Sequence, residues 1–293
     1  MWKTFGISII SQTLNLVPAD KKLYNLRDSI SAVESIPLIA SSIMSKKIAS
    51  GADKIVLDIT VGSGAFMKNI DDARKLAEEM IEIGKLANRE TICVLTNMDE
   101  PLGKSVGNTL EVIESIKSLK GDISQDVEDI VLELGAYMVI LSGIENTLKS
   151  AKKILKQNLY NGKAFNKFKE LVANQNGDVS YIENLEKFEK AKYIEPIYSR
   201  KNGYVYNIDA KEVGKIACNL GAGRIKKEDK INYSVGIVLN KKVGYLVKEK
   251  DVLAYIHSDD IEKLEQAKKD LERVFIIKEE KPEVKNTILQ IIK

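Results

Sequence analysis

Ser42 and Lys46 stand four residues apart in the stretch SIPLIASSIMSKK, and Arg27 precedes them in NLRDS. On a helix, that spacing stacks a hydroxyl and an ammonium along one edge. The same segment carries Ile36, Ile39, Ala40, Ile43 and Met44 at three- and four-residue intervals, the pattern of a buried stripe. An Arg, a Ser and a Lys at the rim of an apolar surface would supply fixed donors to a ligand presenting carbonyl oxygens, or to negative charge developing on it. On pattern alone the simpler reading is a solvated face for Lys46 and Lys47, with Arg27 paired to Asp28 or Glu34.

Two glycine-bearing turns offer phosphate chemistry and fall short of it. Gly62-Ser63-Gly64 follows an apolar run, but the third glycine of a dinucleotide fingerprint would fall at Met67. Gly103-Lys104-Ser105 has the end of a nucleoside-triphosphate loop, yet that loop's first glycine would fall at Met98. Both turns close the carboxyl ends of expected parallel strands, where open α/β sheets place ligands; ordinary turn glycines explain the spacing equally well. The single histidine, His257, lies in YIHS with no nucleophile pattern beside it and reads as structural. Cys93 and Cys218 are far apart and suit reduced packing residues, so a transition-metal site has no ligand set. A monovalent or hard divalent cation bound by carbonyls and carboxylates would leave little trace in sequence.

The elements that must position these residues follow from periodicity. FGISIISQTLNL reads as a buried strand before Pro18, and ADKKLYNLRD as a short helix. A helix capped by Ser35, with Pro37 in its first turn, runs to about Ser50 and stops at Gly51. KIVLDITV and TICVLTN are strands, separated by an amphipathic helix from about Asp71 to Ala87. TLEVIESIKSL, VEDIVLELGAYMVILSG, TLKSAKKILKQNL and KAFNKFKELVANQNG are further helices. Strand, loop and helix in alternation predict a mostly parallel sheet covered by helices. From about Tyr193 the texture changes to short strands: a hairpin on Asn202-Gly203, a helix through AKEVGKIACNLGAG, and a strand, turn and strand around Gly244. A charged helix from Asp259 to Arg273 and a short apolar segment close the chain. The expected fold is therefore α/β, with a small helical portion and a C-terminal α+β domain. Residues 1–18 and 51–190 form an α/β domain incomplete at its N-terminus, 19–50 a remnant of a helical domain, and 191–293 the C-terminal domain.

Composition narrows the function classes. With 44% hydrophobic and 30% charged residues over 293 positions, the chain can bury a sizeable core and reads as a globular protein. Its 45 basic and 42 acidic residues are spread throughout, so no basic stripe of the nucleic-acid-binding kind is present. No apolar run reaches membrane-spanning length and the first residues do not form a signal peptide, which makes the cytoplasm the default location.

The block PADKKLYNLRDSISAVESIPLIASSIMSKKIASGADKIVLDITVGSGAFM resembles the signature region of pyrimidine-nucleoside phosphorylases and the related thymidine phosphorylases. The likeness continues through PLGKSVGNTLEV, LELGAYMV, NLGAGRIKKEDKI and VGIVLNKKVGYLVKE. It implies phosphorolysis, in which phosphate attacks the anomeric carbon of a pyrimidine nucleoside and releases the base and a pentose 1-phosphate. It implies Arg27, Ser42 and Lys46 as donors to the pyrimidine ring and Phe66 as an apolar wall against it. It further implies a potassium ion held in part at Leu102, Ser105 and Glu114, no organic cofactor, and a homodimer.

Two departures qualify the resemblance. Family members carry, ahead of Phe5, a helical portion and a glycine-rich phosphate loop with a Lys, a His and several Ser or Thr, and these 293 residues contain no such block. Thr60 stands where family members often have Lys. No catalytic residue is therefore assigned, and the chain is expected to hold the base while phosphate is positioned by a further segment, from a partner chain if necessary. The alternatives are an inactive fragment, or a non-catalytic subunit that binds a pyrimidine or a partner. The C-terminal hairpins also resemble biotinyl or lipoyl carrier domains, without the modifiable-lysine motif a carrier needs.

Overall fold

The computed structural model describes residues 6–10, 16–29 and 35–293, with the side chains of 24–29 outside the description. Residues 6–10 are not a strand, and the remainder of the strand expected at FGISIISQTLNL lies outside the described residues. Helix α1 (Pro18–Ser29) opens with proline and carries Asp20 in its first turn. Ser35 precedes α2 (Ile36–Ala49) in extended conformation, although its hydroxyl makes no cap bond. Then follow β1 (Lys54–Val61), α3 (Ile70–Leu86), β2 (Glu90–Asn97), the two-residue β3 (Ser105–Val106) and α4 (Asn108–Leu119). Three more helices, α5 (Gln125–Leu141), α6 (Leu148–Tyr160) and α7 (Lys163–Asn174), complete the first part.

β1 and β2 pair in parallel, from Lys54 opposite Glu90 to Val61 opposite Asn97. The alternation of β1 sends Ile55, Leu57, Ile59 and Val61 to one face, where they meet Ala40 and Met44 of α2 and Leu76, Ala77 and Met80 of α3. On the other face Ile92 and Val94 pack with Val56 and Tyr137, the latter from α5. Both faces of β2 are buried, so it reads as a continuous apolar run. Asn69 caps α3 by accepting the Asp72 N–H at 2.9 Å.

The second part contains β4 (Tyr193–Tyr198), β5 (Gly203–Ile208), α8 (Ala210–Ala217), β6 (Gly236–Leu239), β7 (Leu246–Val247), β8 (Val252–Ser258), α9 (Ile261–Val274), β9 (Phe275–Lys278) and β10 (Ile288–Ile292). Apart from β10, its strands form two sheets, ordered β3-β6-β8-β4, which takes in β3 of the first part, and β7-β5-β9. Val213, Ile237, Leu239, Ile256, Leu264 and Leu271 are at the centre of the core between them and their helices. β4 and β5 therefore do not form the hairpin expected at Asn202-Gly203: they enter different sheets, β4 beside β8 and β5 between β7 and β9.

The two parts exchange strands. β3, from the loop after β2, pairs with β6, and β10 returns to pair antiparallel with β2, placing Ile292 opposite Cys93. The closing apolar segment thus belongs to the first sheet, so the boundary expected at 191–293 gives up its last strand. No helix among the described residues is long and apolar enough to cross a membrane.

Candidate active site

The turns after β1 and β2 lie against each other at the carboxyl ends of these strands. Met98 N–H donates to the Val61 carbonyl at 2.7 Å, Gly64 N–H to the Met98 carbonyl at 2.9 Å, and the Ser63 hydroxyl to the Asp99 carbonyl at 2.9 Å. Gly62 has φ +136°, and a Cβ there would come within 2.5 Å of the Asp99 carboxylate and 2.7 Å of its backbone nitrogen. This glycine is required by the approach of the neighbouring turn, which is the structural alternative to a phosphate loop.

Helix α2 presents Ser42 and Lys46. The Lys46 ammonium donates to the Ser42 hydroxyl and carbonyl, each at 2.8 Å, and to Asp20 Oδ2 of α1 at 2.6 Å. Ser42 is buried, and the side chains of Lys46 and Asp20 are only 25% and 11% exposed. The ammonium is thus fixed rather than solvated, and its ion pair joins α1 to α2. With its oxygen accepting from Lys46, the Ser42 hydroxyl retains its own hydrogen for a ligand acceptor. Arg27 lies in α1, its side chain outside the described residues.

Phe66 is half exposed and lines a cavity of about 260 Å³ with Ile39, Ile43, Leu57, Thr60, Met67 and Met80. Ile39 and Ile43 occupy the stripe next to Ser42 and Lys46 on α2. An apolar wall and a fixed pair of donors are therefore adjacent on α2. The cavity follows the edge of β1 that has no strand partner among the described residues.

Leu102, Ser105 and Glu114 also come together, lining a second cavity of about 370 Å³. The Glu114 carboxylate accepts the backbone N–H groups of Lys104 and Ser105 at 2.8 and 2.7 Å, so it is held in place by the loop it would share with a cation. Ser118, one turn further along α4, lines the same cavity, and its buried hydroxyl has no partner among the described residues. A fixed carboxylate and an unsatisfied hydroxyl suit a hard cation with oxygen ligands. No cluster of three His, Cys, Asp or Glu suited to a metal exists among the described residues.

His257 is half-buried on β8, opposite Ile194 and Gly236, and burial lowers its pKa. It borders a cavity with Leu110, Phe188 and Ser234 that also reaches Lys104 and Ser105 of the loop after β2 and Glu114.

The family model for the glycosyl transferase family, a/b domain, matches residues 1–165. The chain belongs to this family. A second model, for the pyrimidine nucleoside phosphorylase C-terminal domain, matches residues 204–278. The pyrimidine-nucleoside phosphorylase of Staphylococcus epidermidis is 49% identical over 253 residues, covering 86% of this chain and 58% of the relative. That of Staphylococcus haemolyticus is 48% identical over 267 residues, covering 89% and 62%. That of Staphylococcus aureus is 47% identical over 253 residues, covering 86% and 58%. The chain spans about three fifths of the length of the curated relatives it matches.

Within this glycosyl transferase chain, sequence reading missed two site residues. Asp20 is 26 positions from Lys46, beyond any helical spacing that would link them. Lys242, in NKKVG, looks like a solvated turn charge, yet it is buried against the loop that carries Leu102 and Ser105.

Proposed function

We propose that this glycosyl transferase chain takes part in the phosphorolysis of pyrimidine nucleosides and that its own residues hold the base. A phosphate oxygen attacks the anomeric carbon, the bond from that carbon to the ring nitrogen breaks, and the electron pair departs with the base. The negative charge spreads onto the ring carbonyl oxygens, so donors aimed at them favour the departing anion over the neutral substrate. Ser42 and Lys46 are those donors, with Arg27 joining them from α1 and Phe66, Ile39 and Ile43 bounding the ring. The observation that supports this reading is the Asp20–Lys46–Ser42 cluster, fixed on α2 one helical row from Ile39 and Ile43, which line the cavity with Thr60 and Phe66.

Phosphate is the co-substrate, and we infer that groups outside the described residues position it. We assign potassium to Leu102, Ser105 and Glu114, supported by the fixed Glu114 carboxylate and the unpartnered Ser118 hydroxyl. Assembly is with a second copy of the chain. The cytoplasm, where nucleosides and phosphate meet, is the compartment we infer.

The test is phosphorolysis of uridine and thymidine by the chain alone, and after addition of the unmatched segment of the Staphylococcus epidermidis relative. The expected result is background turnover alone and release of base with the segment present. Turnover by the chain alone at roughly 10 per second, ordinary for enzymes, would overturn the division of the site. No release in either case, together with no binding of uracil, would overturn the function.

A further inference from the structure

Lys242, between β6 and β7, extends its side chain out of the C-terminal part and into the loop that follows β2, where it is only 11% exposed. Its ammonium donates to the carbonyl of Pro101, to the carbonyl of Gly103 at 2.9 Å and to Asp126 Oδ2 at 3.1 Å, with Glu100 Oε2 at 3.6 Å. Two alternate carbonyls of one loop and a carboxylate make the oxygen environment of a monovalent cation, here filled by a covalently tethered ammonium. Gly103, at φ +67°, permits the turn, and its N–H donates to the same Asp126 oxygen at 2.9 Å. The next two N–H groups, of Lys104 and Ser105, go to Glu114. The loop is therefore polarised: carbonyls face the ammonium, and successive amides face carboxylates.

The surrounding charges agree with this geometry. Burial pushes the Glu100 carboxyl up, against the pull of Lys242. Burial also works against the Asp126 carboxylate, but the Lys242 ammonium and the hydrogen bonds it receives outweigh it and hold its pKa below the ordinary range. Asp126 is thus the principal counter-charge. A buried ammonium without such partners would be costly, so the cage and the lysine depend on each other.

We propose that Lys242 is a positioning residue, a tethered cation supplied by the C-terminal part that fixes the 100–105 loop and, through it, Leu102, Ser105 and Glu114. The geometry of the site then depends on the C-terminal part being docked. The catalytic consequence rests on the phosphorolysis reading, whereas the ordering of the loop does not.

The experiment is amide hydrogen exchange on the full chain, comparing wild type with Lys242→Ala and with Lys242→Met, which keeps most of the apolar stem. Exchange at Gly103, Lys104 and Ser105 is expected to accelerate at least about tenfold in both variants, while the β1 and β2 amides keep wild-type protection. In Lys242→Ala, ammonium or methylammonium chloride should restore protection, and choline chloride of equal ionic strength, too large for the cage, should not. Wild-type protection in Lys242→Met would overturn the inference, as would loosening of the whole C-terminal part with no rescue by the small amines. A chain that shows the rescue but binds no uracil would retain the inference and lose the phosphorolysis reading.

Discussion

The two sides of the candidate site are built differently. On the base side, α1 is joined to α2 by the Lys46–Asp20 ion pair, and α2 rests on α3 through Ala40 and Met44. On the other side, the loop from Asp99 to Thr109 is tied to the C-terminal part along its whole length. The Asp99 carbonyl accepts the Ala210 N–H at 2.9 Å, the Lys104 carbonyl the Leu239 N–H at 2.7 Å, and Thr109 N–H donates to the Tyr233 carbonyl at 3.1 Å. β3 is itself a strand of the C-terminal sheet. The difference teaches how the labour is divided: a fixed frame surrounds the glycine turns and the Glu114 loop, and the donors stand on α2, which the Lys46–Asp20 pair ties to α1.

Breaking the fixed frame should have the largest effect. Gly62→Ala forces a Cβ against the Asp99 backbone at a positive φ, and a loss of roughly 2–4 kcal/mol is expected, read by urea unfolding. The base side should be more tolerant. Asp20→Asn leaves Lys46 with a neutral partner, and the expected loss is about 1–2 kcal/mol, with the β1 and β2 amides still protected from exchange. If Asp20→Asn unfolds the sheet while Gly62→Ala is silent, the comparison is inverted.

Smaller effects sharpen the picture of the core. The pKa of His257 is depressed by burial, so as pH falls below about 6.5 the unfolded chain takes up a proton that the folded chain resists. Stability should decline with acid over that interval, and His257→Gln should flatten the decline in thermal melts at pH 7.5 and 5.5. Cys93 is fully buried in β2, with its thiol pushed up to about 12, whereas Cys218 is partly exposed at the end of α8. Iodoacetamide at pH 8 should modify Cys218 alone in the native chain, as peptide mass mapping would show. Modification of both at equal rates would mean that β2 is not the closed core strand described.

Much of the first part was legible because its signals are local. β1, α3 and β2 announce themselves by periodicity, and α2 by Ser35, Pro37 and Gly51 within seventeen residues. What was not legible depends on pairing between distant segments. Asn202-Gly203 has turn chemistry, but β4 finds its partner in β8, with Tyr193 opposite Ser258, and no local pattern announces that choice. The return of β10 to β2, about 190 residues earlier in the chain, is likewise a matter of tertiary packing. At the site, the spacing of Ser42 and Lys46 places both on one helix edge, their role as donors is what the family resemblance implies, and the acid that pairs with Lys46 has no local signal. Lys242 reads as surface in a run of two lysines, and only the oxygens of Pro101, Gly103 and Asp126 make it interior.

Titration of uracil into the chain, followed by backbone amide chemical shifts, is the most direct examination of the base-holding role. Saturable binding in the millimolar range, about 4 kcal/mol, with shifts on α2 and at Phe66, is expected for the wild type, and Ser42→Ala and Lys46→Ala should abolish it. Equal affinity in all three proteins, or no binding to the wild type, would contradict the assignment of Ser42 and Lys46 to the base.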